Sequence, residues 1–207
     1  MNAIRHLRFK HLFPYLEKIV GSHTSDKRIF LWDICNEPFN TASSPEIRNI
    51  ILKWLKEICL ICKNLGAEIP LCTGTIPNID TVKLVEPVSD VITIHPYGAW
   101  NAWVKDKKDF EGFLDEAVSF ANQSKKPLLA SECCWGSLDD KERGEEVACE
   151  LSELKGRGIG WLAHILHHSL VADGHRPEFG PVHTAGNMSF IETDGSLRPY
   201  HDVFNQF

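Results

Sequence analysis

Two glutamates of this 207-residue sequence each lie at the C-terminal end of an apolar segment, and together they could perform acid–base chemistry. Glu37 lies in LWDICNEPF, which runs from Leu31 to Phe39, and Glu132 lies in PLLASECCWG, which runs from Pro127 to Gly136. Each apolar run is typical of a buried β-strand with the glutamate at its C-terminal end. If the two strands are parallel, both carboxyl groups point to one rim of the sheet. A pair of carboxyl groups across a cleft is the minimum equipment for cleaving a glycosidic bond.

Other candidate site residues lie on or just beyond predicted strands. They are Asn36, His95, Tyr97, Trp135, Trp161 and His164. In parallel α/β folds the C-terminal rim of the strands is where active sites are built. Each residue also has a purely structural alternative: a strand-end glutamate can be solvated or salt-bridged, His95 can be a core histidine, and the tryptophans can be packing residues.

Strand and helix signals alternate along the chain, which predicts an α/β fold with a parallel sheet. Short apolar runs predict strands at 29–34, 69–72, 91–95, 128–131 and 159–163, each covered on both faces. Helices are predicted at 3–20, 44–64, 78–85, 109–122 and 139–155, with a last turn or helix at 199–207. The basic, amphipathic start could instead be a transit peptide. No linker or repeat interrupts the pattern, so one domain is predicted over 1–207.

Composition narrows the classes of function. A formal net charge of −6 without a basic stripe argues against a nucleic-acid partner. No apolar run approaches the length of a membrane span. The Cys59/Cys62 pair has no second CxxC to complete a zinc site, so neither a metal nor a cofactor is predicted. The start lacks a secretory signal, and the sequence leaves the location open between the cytoplasm and, if an N-terminal segment is missing, secretion.

The order of these strand-end motifs resembles a known family. Asn36-Glu37-Pro38, then His95-Pro96-Tyr97, then Glu132, then Gly160-Trp161 on a last strand are similar to the cellulase-like family 5 glycoside hydrolases and their clan of retaining (β/α)8-barrel enzymes. The resemblance covers nearly the whole chain.

The resemblance implies a carbohydrate substrate and a role for each residue. Glu37 would be the acid/base and Glu132 the nucleophile of a double displacement on a β-linked glycoside or polysaccharide. Asn36 would bind the sugar 2-hydroxyl, and Tyr97 would donate a hydrogen bond to Glu132. His95 and Trp135 would line the sugar site. His164 stands where the family commonly has a sugar-stacking tryptophan, and Trp161 lies three positions before it.

The resemblance also implies that the barrel is incomplete. The strand ending in Asn36-Glu37-Pro38 is the fourth strand of the family, so strands four to eight are present and three are missing. The chain could be a fragment of a longer protein, could receive the missing units from another chain, or could be an open remnant. The alternative functions are accordingly a catalytically impaired carbohydrate-binding remnant or a module that needs a complementary chain.

Overall fold

A computed structural model describes residues 9–40, 44–97, 104–134, 137, 139–166, 189–192 and 194–207. Proximity of Cα atoms divides the chain into two compact units. The first comprises Met1–Thr93 with Lys125–Pro127, and the second comprises Ile94–Ser124 with Leu128–Phe207. That the whole chain is one catalytic domain stays a prediction.

The first unit alternates helices and short strands. Its elements are α1 (Phe9–Ile19), β1 (Trp32–Asp33), α2 (Pro45–Asn64), β2 (Leu71–Cys72) and α3 (Ile79–Val85), with 3-10 turns at Gly21–His23 and Glu86–Val88. Helix α2 begins where the sequence predicts. The Ser44 hydroxyl accepts a hydrogen bond from the N–H of Ile47 at 3.3 Å, and Pro45 occupies the first turn. Gly66, with φ of 86°, follows its end.

Strands β1 and β2 are parallel, with Trp32 opposite Leu71 and Asp33 opposite Cys72. Side chains of helix α2 pack within two groups of buried residues in this unit. One group is Val20, Ile58, Cys62, Ala67 and Leu71, and the other is Phe39, Leu55, Val85 and Val88. The Asp90 carboxylate accepts hydrogen bonds from Lys63 Nζ at 2.6 Å and from the Leu71 N–H at 2.8 Å, which ties β2 to the end of α2.

The second unit holds a sheet with the strand order β3-β4-β5. Its elements are β3 (Ile92–Ile94, which begins in the first unit), α4 (Lys107–Ser124), β4 (Leu128–Cys133), α5 (Asp140–Gly156), β5 (Gly160–Ala163) and a 3-10 segment at His201–Gln206. Strands β4 and β5 are parallel, and their register shifts between Ala130 and Cys133. Helix α5 passes close to Tyr200, because a Cβ built on Gly144 would lie 3.0 Å from the Tyr200 carbonyl oxygen.

The parallel α/β arrangement agrees with the sequence prediction, and several boundaries differ. β1 is two residues long instead of spanning 29–34, and Phe30 is 73% exposed. β4 extends past 131 to Cys133. The prediction that all strands are covered on both faces is wrong for β5, where Leu162 is 51% exposed. Of the predicted opening helix, 3–8 lie outside the described residues.

All seven cysteines are free thiols. Four of them, Cys62, Cys72, Cys133 and Cys134, are buried, where a free cysteine behaves as a small hydrophobe. None of the helices in the described part of the chain is long and apolar enough to cross a bilayer.

Candidate active site

Glu37 lies in a turn after β1 that is held by the segment following β2. The Glu37 N–H donates to the Gly74 carbonyl at 3.0 Å. The Asp33 carboxylate accepts from the Gly74 N–H at 3.2 and 3.3 Å, and from the Cys35 N–H at 3.1 Å. Glu37 itself has φ of 45°, a left-handed conformation that is uncommon for residues other than glycine and that the surroundings must maintain. The turn is therefore fixed from both ends.

The side chain of Glu37 is half-buried and has a local partner. Asn40 Nδ2 donates to Glu37 Oε2 at 2.9 Å, and the Asn40 N–H donates to the Glu37 carbonyl at 3.0 Å. The neighbouring Asn36 is exposed. Both predicted site residues of the first unit thus lie on one tight turn, with the Asn36 amide open to solvent.

Glu132 lies near the end of β4 and is held by an aromatic pair of the second unit. The Tyr97 hydroxyl donates to Glu132 Oε2 at 2.7 Å, and His95 Nδ1 lies 3.7 Å from the same oxygen. The Glu132 side chain keeps 27% of its surface exposed. A hydrogen bond to a carboxylate is short and strong, so the phenol fixes the direction of one oxygen. The carboxylate is both oriented and reachable from solvent.

Three aromatic rings lie near Glu132, with Tyr97 between His95 and His164. His95 is fully buried, and its Nε2 lies 3.2 Å from the Ser131 hydroxyl. The Tyr97 ring meets the His164 ring edge-on at 6.4 Å between centroids, and the His95 ring lies at the same distance on a tilted plane. His95 therefore satisfies the core-histidine alternative and also lies beside the carboxylate. The structure brings His95, Tyr97, Glu132 and His164 into one neighbourhood of the second unit.

Of the two tryptophans predicted to bind sugar, the structure describes Trp161 alone. The ring of Trp161 lies against Phe204, with centroids 6.4 Å apart, and the Phe204 ring packs at a tilt against Phe190, with centroids 4.5 Å apart. This environment matches the packing alternative, while a sugar-binding role for Trp161 stays a prediction. Trp135 lies outside the described residues.

Sequence reasoning missed a buried polar group on α5. Arg143 has no exposed surface and Glu150 only 2%, and both lie in the second unit. They fall on the helix face that also carries Val147, Leu151 and Leu154, all fully buried. Helical periodicity could have revealed them as charged residues on an apolar stripe. Buried charges need partners, and their partners here include the backbone just after Glu132.

Comparison with known proteins identifies the fold alone. No family model matches the chain, and no curated protein sequence matches it. Solved structures do match. A Faecalibacterium prausnitzii β-glucuronidase has a TM-score of 0.71 at 15% identity, covering 95% of this chain and 34% of its own. A family 2 β-galacturonidase from Eisenbergiella tayi bound to galacturonate has a TM-score of 0.71 at 18% identity, covering 98% and 37%.

A Ruminococcus gnavus β-glucuronidase in complex with D-glucuronic acid is more distant, with a TM-score of 0.60 at 13% identity, covering 94% of this chain and 36% of its own. The chain thus spans about a third of the length of these three proteins. Their likeness shows a glycoside hydrolase fold of mixed α/β type with parallel strands. Resemblance to family 5 in particular, and an incomplete (β/α)8 barrel, stay predictions.

Proposed function

We propose that this chain is the C-terminal portion of the (β/α)8 barrel of a retaining β-glycoside hydrolase, in the clan that includes the cellulase-like family 5 enzymes. The single observation that carries the proposal is the hydrogen bond from Tyr97 to Glu132 at a strand end, on a carboxylate that remains partly exposed. A nucleophilic carboxylate must be oriented and reachable: the Tyr97 hydroxyl orients Glu132, and the exposed part of its side chain leaves it reachable.

The first step of the proposed reaction forms a covalent intermediate. An oxygen of Glu132 attacks the anomeric carbon while the bond from that carbon to the leaving oxygen breaks. Glu37, protonated at this stage, donates its proton to the leaving oxygen. In the second step Glu37, now ionised, takes a proton from water, and the water oxygen displaces Glu132 from the sugar. The anomeric configuration is retained.

Asn36 and Trp135 would contact the sugar in this proposal, and His95, fully buried beside Glu132, would line the site from behind that carboxylate. The exposed amide of Asn36 suits the sugar 2-hydroxyl, whose hydrogen bond strengthens in the transition state. Substrates worth testing come from two directions. The family resemblance points to glucan, mannan and smaller β-glycosides, and the names of the matching structures point to β-glucuronides and β-galacturonides. Aryl β-glycosides of all these sugars form the first panel.

Replacement of each carboxylate tests the two roles separately. In Glu132→Ala, added azide is expected to give the α-glycosyl azide, because azide attacks directly in place of the missing nucleophile. In Glu37→Ala, azide is expected to give the β-glycosyl azide, because it intercepts the covalent intermediate. Glu145→Ala, which alters an exposed carboxylate of α5, is the matched control and should keep wild-type turnover. Equal rates for wild type and Glu132→Ala on every glycoside of the panel would refute the mechanism.

A second candidate function is carbohydrate binding without turnover. It is favoured by His164 at the position where the resembled family commonly has a stacking tryptophan. Calorimetric binding of oligosaccharides, with no hydrolysis even of activated aryl glycosides, would support this function against the first.

A further inference from the structure

The backbone directly after Glu132 is held in an unusual conformation. Cys134 has φ of 70°, in the left-handed region that residues with a Cβ seldom adopt. The register of β4 against β5 also shifts between Ala130 and Cys133, and the His164 N–H donates to the Cys133 carbonyl at 2.9 Å. Strand irregularities of this kind change the direction in which a side chain points. The direction of Glu132 therefore depends on what maintains Cys134.

Two buried charged side chains of α5 hold both peptide groups of Cys134. Glu150 Oε2 accepts from the Cys134 N–H at 2.7 Å, and Arg143 Nη2 donates to the Cys134 carbonyl at 3.3 Å. Arg143 and Glu150 lie about two helical turns apart, so α5 presents them on one face. Because each peptide group is bound by a charged partner away from water, the left-handed turn is enforced from both sides.

Arg143 is itself fixed by the end of the chain. Its Nη1 donates to the Ser189 carbonyl at 2.5 Å and to His201 Nε2 at 2.9 Å, and its guanidinium lies 4.8 Å from the centre of the Phe190 ring. Burial lowers the pKa of Arg143 to about 10, so the group stays charged at neutral pH. The last segment of the chain is therefore connected, through one arginine, to the strand that carries Glu132.

We propose that Glu150 is a positioning residue for Glu132, and that Arg143 completes the clamp on the Cys134 peptide groups. Glu150 does not touch the reacting atoms. It acts by keeping the end of β4 in the conformation that directs Glu132 to the Tyr97 hydroxyl. The inference rests on the proposed function in one respect, because its effect on turnover presupposes that Glu132 is the nucleophile.

The test separates side-chain length from side-chain charge. Glu150→Asp keeps the charge and withdraws the carboxylate from the Cys134 N–H. We expect kcat to fall about 100-fold with KM changed less than about threefold, because small misplacements of a reacting group cost rate rather than binding. Glu150→Gln keeps an acceptor oxygen at the original distance and is expected to lose less than about tenfold in kcat. Glu145→Asp, on the exposed face of α5, is the control and should match wild type.

A third variant relieves the conformation itself. Glycine adopts positive φ without strain, so Cys134→Gly combined with Glu150→Asp should recover at least about tenfold of the lost kcat. The double variant is also the one to measure if Glu150→Asp alone does not fold. Equal kcat in Glu150→Asp and wild type would overturn the inference. The inference would also be overturned if the loss of kcat in each variant matched its loss of folded protein and Cys134→Gly did not restore kcat.

A readout independent of turnover distinguishes failure of this inference from failure of the proposed function. Glu150→Asp should raise the hydrogen-exchange rate of the Cys134 amide and shift the ring resonances of Tyr97 in NMR spectra, whereas Glu145→Asp should change neither. If wild type hydrolyses no glycoside while these shifts occur, the clamp is supported and the proposed function fails. If wild type is active and the Tyr97 resonances do not move in Glu150→Asp, the clamp is refuted and the proposed function stands.

Discussion

Replacing Tyr97 by phenylalanine removes the hydrogen bond from its hydroxyl to Glu132 and keeps the aromatic ring. The hydroxyl donates to Glu132 Oε2 at 2.7 Å, and the residue is 6% exposed. Phenylalanine keeps the ring that meets His95 and His164, so the packing of the second unit is preserved. The variant therefore isolates the contribution of the phenol to the orientation of the carboxylate.

The expected size of the effect follows from the environment of Glu132. A hydrogen bond to a charged group contributes about 1.5–3 kcal/mol. Glu132 is 27% exposed, and water will replace part of the lost contact, so we expect the lower half of that range. About 1.5–2 kcal/mol corresponds to a fall in kcat of about 10- to 30-fold. KM should change little, because Tyr97 contacts the nucleophile and not the leaving group.

The assay is steady-state hydrolysis of whichever aryl β-glycoside the wild-type protein turns over best. Tyr15→Phe, which makes the same chemical change at a 60% exposed position, is the control. Thermal unfolding of both variants shows whether any loss comes from unfolding. A Tyr97→Phe rate within twofold of wild type, in a protein that Glu132→Gln inactivates, would refute the assigned contribution of the hydroxyl.

Three further predictions concern stability. The Ser44→Ala variant should lose about 1 kcal/mol of unfolding free energy in urea titrations, because the N-cap contact of α2 is removed. Burial raises the pKa of Asp90, but its hydrogen bonds outweigh burial and lower that pKa below its ordinary value. Its stabilisation is therefore present above the unfolded pKa of about 3.9 and is lost as pH falls through the folded pKa, so Asp90→Asn should cost about 1 kcal/mol at pH 7 and progressively less as the pH falls through that folded pKa. Gly144→Ala should lower the melting temperature, because the new Cβ would lie 3.0 Å from the Tyr200 carbonyl oxygen. Gly112→Ala, with no atom within 4 Å of the new Cβ, should raise the melting temperature, and its unfolding free energy should increase by up to about 1 kcal/mol.

Local signals in the sequence predicted much of the fold. Ser44 and Pro45 mark the start of α2 by their own chemistry, and apolar runs located all five strands of the described chain. Parallel pairing followed from the alternation of strands and helices. The limits of β1 and the exposure of β5 could not be predicted this way, because they depend on which strands lie alongside.

Some contacts of the candidate site were also predicted from the sequence, and others were not. The resemblance implied a hydrogen bond from Tyr97 to Glu132, and the structure contains that contact, while its role in catalysis stays a prediction. The contacts of Glu150 and Arg143 with Cys134 were not predicted. They join side chains to backbone groups across the packed unit, and neither spacing nor composition specifies such contacts. The charged positions on the apolar face of α5 are a sequence signal that could have indicated buried partners.

The buried thiols make each compact unit observable separately. Burial raises the pKa of Cys72 in the first unit to about 12, and the neighbouring Cys133 thiol together with burial raises that of Cys134 in the second. Alkylating reagents attack the thiolate, so both sulfurs should react only when their unit opens. Mass-spectrometric rates of iodoacetamide labelling at the two positions would therefore report two opening free energies from one sample. Equal values would mean that the units unfold together, and unequal values would show which unit opens first.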